Sequence, residues 1–309
     1  MPKIRPLWNL SVDKRLAIAP TKQTSTIKLQ PLLIKFPSSF YQILIMSETT
    51  LTIWYIPRTP YPRRLTNYLL AKQLPRSLFE SGRLQLIPVR MDPTNGTFET
   101  LAGCEPKPEG FTLPVLRVSS SDNTTDPYWI TQSASILEYL EATFPAAAGF
   151  RDLSGSTLER QARSRDIVLF AHELMQWSNV QMRHGSEERM HWFGIKPEHF
   201  SAPASADAHL QVRKLLARVD GLVRDDVLDR QSLSLAGGND VTIADCVFAA
   251  FVACGRDLMG VDWIDGMEAL TRWYDRALAN KWLPSPETIA ELEKGNSEVL
   301  FVGEVPGKQ

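Results

Sequence analysis

From residue 51 onward the apolar positions fall first into short β-branched and aromatic runs and then into long stripes of helical period. Leu51 to Ile56 reads as a buried strand that Pro57 ends. Past a turn, Leu65, Tyr68, Leu69 and Lys72 recur at i, i+3, i+4 and i+7, with the alkyl stem of Lys72 completing a helical face. Leu84 to Val89, Leu113 to Val118 and Tyr128 to Ile130 predict three further strands. Ser133 to Phe144 predicts a helix with Ile136, Leu137, Leu140 and Phe144 on one side. The order strand, helix, strand, loop, strand, strand, helix describes a small α/β domain that closes near Pro145.

Beyond that proline nearly every pattern is helical. Ser156 to Glu159 predicts a capping box opening a helix with Ile167, Phe170, Ala171, Leu174 and Ser178 along one stripe. A loop from about residue 185 to 204 leads to a helix with Leu210, Leu215, Val219, Leu222 and Val223 inward. A second capping box, Thr242 to Asp245, opens a helix that is apolar almost all round through Ala253, so its place is the domain centre. A last helix, Met267 to Asn280, presents Leu270, Trp273, Tyr274 and Leu278. The fold class is therefore α/β plus all-α, with units at 47–150 and 151–294 and a tail at 295–309 without period.

The length of 309 residues agrees with two domains. Lys and Arg total 34 against 35 Asp and Glu, so the chain carries neither a nucleic-acid footprint nor an acidic tail. No apolar run approaches the roughly 18 residues of a membrane span. The charge is uneven, however. Residues 1–46 hold seven basic side chains, one acid and five prolines, with no sustained period. A basic, acid-poor leader resembles a mitochondrial transit peptide, although its prolines interrupt the amphipathic helix such peptides form. Met46, followed by a polar stretch and then a strand, points instead to a wrongly chosen start, and 1–46 is read as a disordered or dispensable leader on a cytoplasmic protein, with the mitochondrion as the alternative. Cys104, Cys246 and Cys254 are odd in number and lack CxxC spacing, which indicates a reducing compartment. On one helix, Cys246 and Cys254 lie about 12 Å apart, too far for a bridge.

Three short constellations carry candidate chemistry. Thr59-Pro60-Tyr61-Pro62 stands where the first strand hands over to the first helix, which places a hydroxyl at the positive end of a helix dipole, where a thiolate is favoured. Leu113-Pro114 heads a strand; a cis bond there turns the Leu113 backbone outward to pair with an extended peptide. Gln132-Ser133 opens a helix, with Ser133 as its expected cap and the helix-start amides as a carboxylate site. The five histidines form no i, i+4 pair, and His184, Glu188 and His191 read as a solvated face, so no metal site is expected.

The order of these elements, with Ser234 to Asp245 as loop and capping box before the central helix and Arg272-Trp273-Tyr274 in the late helix, resembles the cytosolic glutathione S-transferases over residues 50–282. The leader and irregular loops give the chain a fungal look. The resemblance implies a thioredoxin-like first domain that binds glutathione as co-substrate and a helical second domain that supplies the pocket for a hydrophobic electrophile, in a homodimer. It implies that Leu113, before a cis Pro114, holds the cysteinyl backbone, and that Gln132 and Ser133 hold the γ-glutamyl end. Thr59 takes the place of the catalytic Ser or Cys of many members, with Tyr55 in reserve. His172, Met175, Gln176 and Trp177 are expected at the electrophile pocket, and the stretch 100–112 is longer than the usual loop there. The implied activity is transfer of glutathione in detoxification or secondary metabolism; the alternatives are a glutathione-dependent isomerase or lyase, or a glutathione-binding scaffold without turnover. Because 1–46 lacks periodicity, its deletion is expected to leave the melting temperature and glutathione affinity unchanged; a large drop in melting temperature would show that it packs on the core.

Overall fold

The computed structural model describes residues 49–92, 97–120, 126–185 and 195–303. The leader 1–46, Glu188, His191 and the end of the tail lie outside them. Five strands form one mixed sheet in the order β3-β2-β1-β4-β5: β1 Thr49–Tyr55, β2 Leu84–Met91, β3 Phe98–Thr100, β4 Val115–Ser120 and β5 Tyr128–Ile130. β1 runs parallel to β2 and antiparallel to β4, so Ile53 lies between Leu86 and Leu116. The period of two divides the sheet: Leu51, Ile53, Tyr55, Leu84, Leu86, Leu116 and Ile130 enter the main core, while Trp54, Ile87, Val89 and Val115 form a smaller cluster behind it.

Helices α1 (Pro60–Lys72), α2 (Ser77–Glu80) and α3 (Ser133–Thr143) belong to the sheet half. α4 (Leu158–Arg183), α5 (Ala202–Arg224), α6 (Ile243–Cys254), α7 (Glu268–Ala279) and α8 (Pro286–Glu293) complete the described helices. α1 packs on both α3 and α6, so it is the seam between the halves. Asn67 donates from Nδ2 to the Cys246 carbonyl at 2.9 Å. Lys72, whose stem completes the expected face, also has its head satisfied: Nζ lies 2.7 Å from Oε2 of Glu141 on α3 and donates to the Arg151 carbonyl. Glu141 further accepts from the Tyr68 hydroxyl at 2.9 Å and the Leu153 amide at 2.8 Å. This buried ion pair is therefore supported by further hydrogen bonds on both partners, which removal from water requires.

All twelve residues of α6 are buried, as its all-round apolarity predicts. Its exposed-donor problem is solved completely at the N-terminus. Thr242 N–H donates to the Asp245 carboxylate at 2.7 Å, Ile243 N–H to the Leu153 carbonyl at 2.8 Å and Ala244 N–H to Ser164 Oγ at 3.3 Å. Asp245 also accepts from Ser234 Oγ (2.6 Å), Leu235 N–H (2.7 Å), Thr242 Oγ1 (2.9 Å) and Trp273 Nε1 of α7 (3.0 Å).

The structure corrects several expectations. β4 begins at Val115, two residues late, because Pro114 has no N–H to pair, and it runs on through polar Ser119 and Ser120 against Thr50 and Thr49. The α4 cap is Thr157, whose hydroxyl accepts from Arg160 N–H. α5 buries Ala208, Val212, Leu216, Val219 and Val223, leaving Leu210 56% exposed, and α7 buries Ala277 while Leu278 is exposed. The segment after 294 is not simply a tail. Ser297–Leu300 forms a 3₁₀ turn, and Ser297, Leu300 and Phe301 are buried against the sheet half. β3, α2 and α8 are too short or too polar to show a period. Region 101–113 covers the rear cluster: Phe111 stacks on Trp129 at 4.9 Å, and the Glu105 carbonyl accepts from Trp54 Nε1.

Asp245→Ala is expected to strip a helix cap and orphan several buried donors, destabilising the protein by at least about 3 kcal/mol. That corresponds to a fall of about 6–12 °C in a thermal melt. Trp273→Phe, which removes one donor, should cost about 1 kcal/mol. Equal effects for the two would show that the carboxylate is not the centre of the network.

Candidate functional site

Strand register brings the three constellations to one edge. Trp54 pairs with Val115 and Leu116 with Ile130, so the start of β4 lies between the end of β1 and the end of β5. Thr59 follows β1, Leu113-Pro114 precedes β4, and Gln132-Ser133 follows β5. The Leu113–Pro114 peptide bond is cis. Leu113 is half-buried and Pro114 buried beneath it, while Gln132 is exposed.

Thr59 has extended backbone at φ −79° and ψ 154° and stands at the N-cap of α1, but its side chain caps nothing. Its hydroxyl turns back and donates to the Ile56 carbonyl at 3.1 Å. Pro60 and Pro62 have no N–H, which leaves the Tyr61 amide as the donor of the first turn not committed to the helix. Tyr55 is fully buried; its hydroxyl meets Ser297 Oγ at 3.3 Å, and burial pushes its pKa up. A phenol enclosed in this way has no face open to solvent.

Gln132, not Ser133, is the N-cap of α3, with φ −101° and ψ 127°. Ser133 is the first helical residue, 5% exposed, and its hydroxyl accepts from Arg64 Nη1 at 3.3 Å. Sequence reasoning missed this arginine. Arg64 is fully buried; Nη1 also lies 3.4 Å from His172 Nε2, and the guanidinium sits 4.9 Å from the centre of the Tyr61 ring. Among the described residues its Nε and Nη2 have no partner and no carboxylate reaches it. Burial pushes its pKa down to about 10. The available signal was two consecutive arginines at the head of a helix that is otherwise buried on nearly every side.

On α4, His172 and Gln176 face this corner. Gln176 Nε2 and Asn179 Nδ2 each approach the Tyr61 hydroxyl at 3.5 Å. Met175 belongs elsewhere: it is 1% exposed, in the main core, so it does not line an open pocket. Trp177 is half-buried, with part of its surface packed against that core. Below His172, a cleft of about 710 Å³ between α3 and α4 is lined by Ala134, Glu138, Arg165 and Leu169 among others. Cys246 and Cys254 are buried thiols, the second with its pKa pushed up to about 12 by burial. Among the described residues no group of three His, Cys, Asp or Glu side chains is disposed to hold a metal, and no helix is long and apolar enough to cross a membrane.

This architecture, a thioredoxin-like sheet half followed by a helical half, is the glutathione S-transferase fold, and solved structures of that class superpose on it. A maleylacetoacetate isomerase from Anaeromyxobacter dehalogenans 2CP-1, with bound dicarboxyethyl glutathione and citrate, aligns over 81% of this chain and 93% of its own at 19% identity and a TM-score of 0.52. A glutathione S-transferase from Methylobacillus flagellatus KT with glutathione bound aligns over 77% and 98% at 14% identity, TM-score 0.52. Another from Methylobacterium radiotolerans JCM 2831, in complex with glutathione sulfonate, aligns over 84% and 99% at 16% identity, TM-score 0.51. No protein-family model and no curated protein matches the sequence.

Partial burial and then the nearby Arg64 charge hold the His172 imidazole below its ordinary pKa. The sign follows from linkage: as pH falls below about 6.5 the unfolded chain takes up this proton before the folded one, and stability is lost. In an NMR titration His172 is expected to have its midpoint below about 6.5, and Arg64→Gln should move it upward. A wild-type midpoint at or above that of free imidazole would contradict the assigned proximity.

Proposed function

We propose that the chain is a glutathione transferase: the glutathione thiolate attacks an electrophilic carbon of a hydrophobic small molecule. The observation that carries this reading is the buried guanidinium of Arg64, which among the described residues has two unpartnered donor atoms and no carboxylate beside it. An uncompensated buried cation costs on the order of several kcal/mol, and a bound anion relieves it. The adjoining Ser133 hydroxyl and the start of α3 favour the same sign of charge. In the proposal, the carboxylate at the γ-glutamyl end of glutathione occupies this corner beside Gln132 and Ser133, and the outward Leu113 backbone next to cis Pro114 pairs with the cysteinyl residue.

The thiol then lies toward Thr59. A free thiol with a pKa of about 8.5 is about 3% ionised at pH 7, so a useful nucleophile requires a downward shift of one to two units. Rotation of the Thr59 hydroxyl exchanges a neutral carbonyl acceptor for a charged sulfur, and charge-assisted hydrogen bonds are about twice as strong as neutral ones. Tyr61, His172 and Gln176 form the proposed wall for the electrophile. In this reading 47–150 binds glutathione and 151–294 binds the second substrate. A homodimeric assembly and a role in detoxification or secondary metabolism belong to the proposal through the family resemblance.

Glutathione at about one hundred times its dissociation constant is expected to stabilise the protein by about 2.7 kcal/mol. Arg64→Gln should lower glutathione affinity at least about tenfold while leaving the free protein as stable as wild type or more so, since it removes an unpaired buried charge. Ser133→Ala should also weaken binding, without loss of a cap because Ser133 follows the N-cap. An Arg64→Gln protein that unfolds yet binds normally when folded would make the arginine structural. Thr59→Val should raise the pKa of the bound thiol by about one unit and slow conjugation about tenfold at pH 7, with Thr59→Ser close to wild type. Thiolate ultraviolet absorbance titrated against pH measures the shift. Product formed without consumption of glutathione would assign an isomerase or lyase; binding without turnover would assign a scaffold.

A further inference from the structure

The segment after α7 returns to the edge of the sheet that carries Thr59. β1 and β2 are parallel, with Tyr55 level with Pro88, so the chain leaves both strands at the same edge. The C-terminus of α8 meets that edge through one residue. The Glu293 carboxylate accepts from Arg58 Nε at 2.8 Å and Nη2 at 2.9 Å, a two-pronged pair. The Glu293 main-chain carbonyl accepts from Arg90 Nε at 3.1 Å and Nη2 at 2.6 Å, at the negative end of the helix. Four residues on, Ser297 Oγ meets the Tyr55 hydroxyl in the core. Val302 N–H donates to the Leu74 carbonyl, Arg76 N–H donates to the Val302 carbonyl, and Phe301 lies 5.3 Å from Phe79. The segment thus grips the chain before the Thr59 turn, in it, and after α1.

In the turn itself, Thr59 N–H and Thr59 Oγ1 both bond to the Ile56 carbonyl, contacts that move with the turn, and the Thr59 carbonyl accepts from Arg63 N–H of α1 at 2.8 Å. Arg58, next to Thr59, is half exposed, and among the described residues both of its side-chain hydrogen bonds go to Glu293. An exposed ion pair adds little to stability. Its geometric effect is larger, because a displacement of about 1 Å at a reacting group costs about a hundredfold in rate.

We propose that Glu293 is a positioning residue: through Arg58 it sets the Thr59 turn, so that α8 and the segment after it govern thiol activation while glutathione binding at the other corner is independent of them. The inference rests on the reading of Thr59 as the thiol-activating hydroxyl. Three full-length variants test it: Glu293→Gln, Arg58→Gln, and the exchange Arg58→Glu with Glu293→Arg. Glutathione affinity, thiol pKa of the complex, kcat with a generic aryl halide electrophile and melting temperature are measured for each. Each single variant is expected to keep glutathione affinity within about twofold, raise the thiol pKa by about half a unit and lower kcat about three- to tenfold at pH 7. The two single effects should not add, and the exchange should restore most of the loss. A pair of single variants with wild-type thiol pKa and kcat, changed only in melting temperature, overturns the inference alone. A wild-type thiol pKa that Thr59→Val leaves unmoved overturns the Thr59 reading, and this inference with it.

Discussion

A carboxylate withdrawn from water at the middle of a protein must be met by donors on every side, and the order of the helical half follows from how Asp245 meets that condition. Its five donors come from the loop before α6, from the cap of α6 and from Trp273 on α7. The loop can reach back only because Gly237 and Gly238 take positive φ, at 83° and 77°, a region that favours glycine. Once this knot is tied, the start of α6 has a fixed position, Ile243 bonds to the linker and Ala244 to α4. The entirely apolar remainder of α6 can then serve as the wall on which α1 and α4 pack.

α1 shows the same rule satisfied at one end and left open at the other. Lys72 and Arg64 lie on one helix, both almost wholly inaccessible. Lys72 has a carboxylate and a carbonyl; Arg64 has a serine hydroxyl, an imidazole and an aromatic face, all uncharged. Buried charges in folded proteins are paired. The difference separates a residue whose charge is met by a carboxylate on α3 from one with two donor atoms left unpartnered beside Ser133.

The superposed structures share the general frame at 14–19% identity, which is a statement about fold. Two segments of this chain lie against the sheet half. Region 101–113 lies over the rear of the sheet, where Glu105 and Arg117 pair and the guanidinium sits 5.0 Å from Trp54. The segment from Ser285 to Val302 lies against the ends of β1, β2 and α1, so the turn carrying Thr59 is held by residues more than 230 positions away.

Wherever one periodic face is buried, the local pattern determines the element. The apolar run of β1, the stripe of α3, the all-apolar α6 and its capping box are read directly from the sequence, because each depends on neighbours within four residues. Order along the chain was enough for the likeness to the transferases and for Leu113-Pro114 and Gln132-Ser133 as candidates. α5 shows the limit: it carries apolar residues on two sides, and the choice of Val212 and Leu216 over Leu210 and Leu215 is made by what packs against it. The same holds for the chemistry. Nothing within a few residues of Arg64 says that its partners are Ser133 and His172, nothing near Met175 says that it is core, and nothing near Glu293 says that it reaches Arg58. Those are contacts between residues 69 to 235 positions apart. Charge pairing and pocket lining are long-range properties, decided only when the halves close on one another.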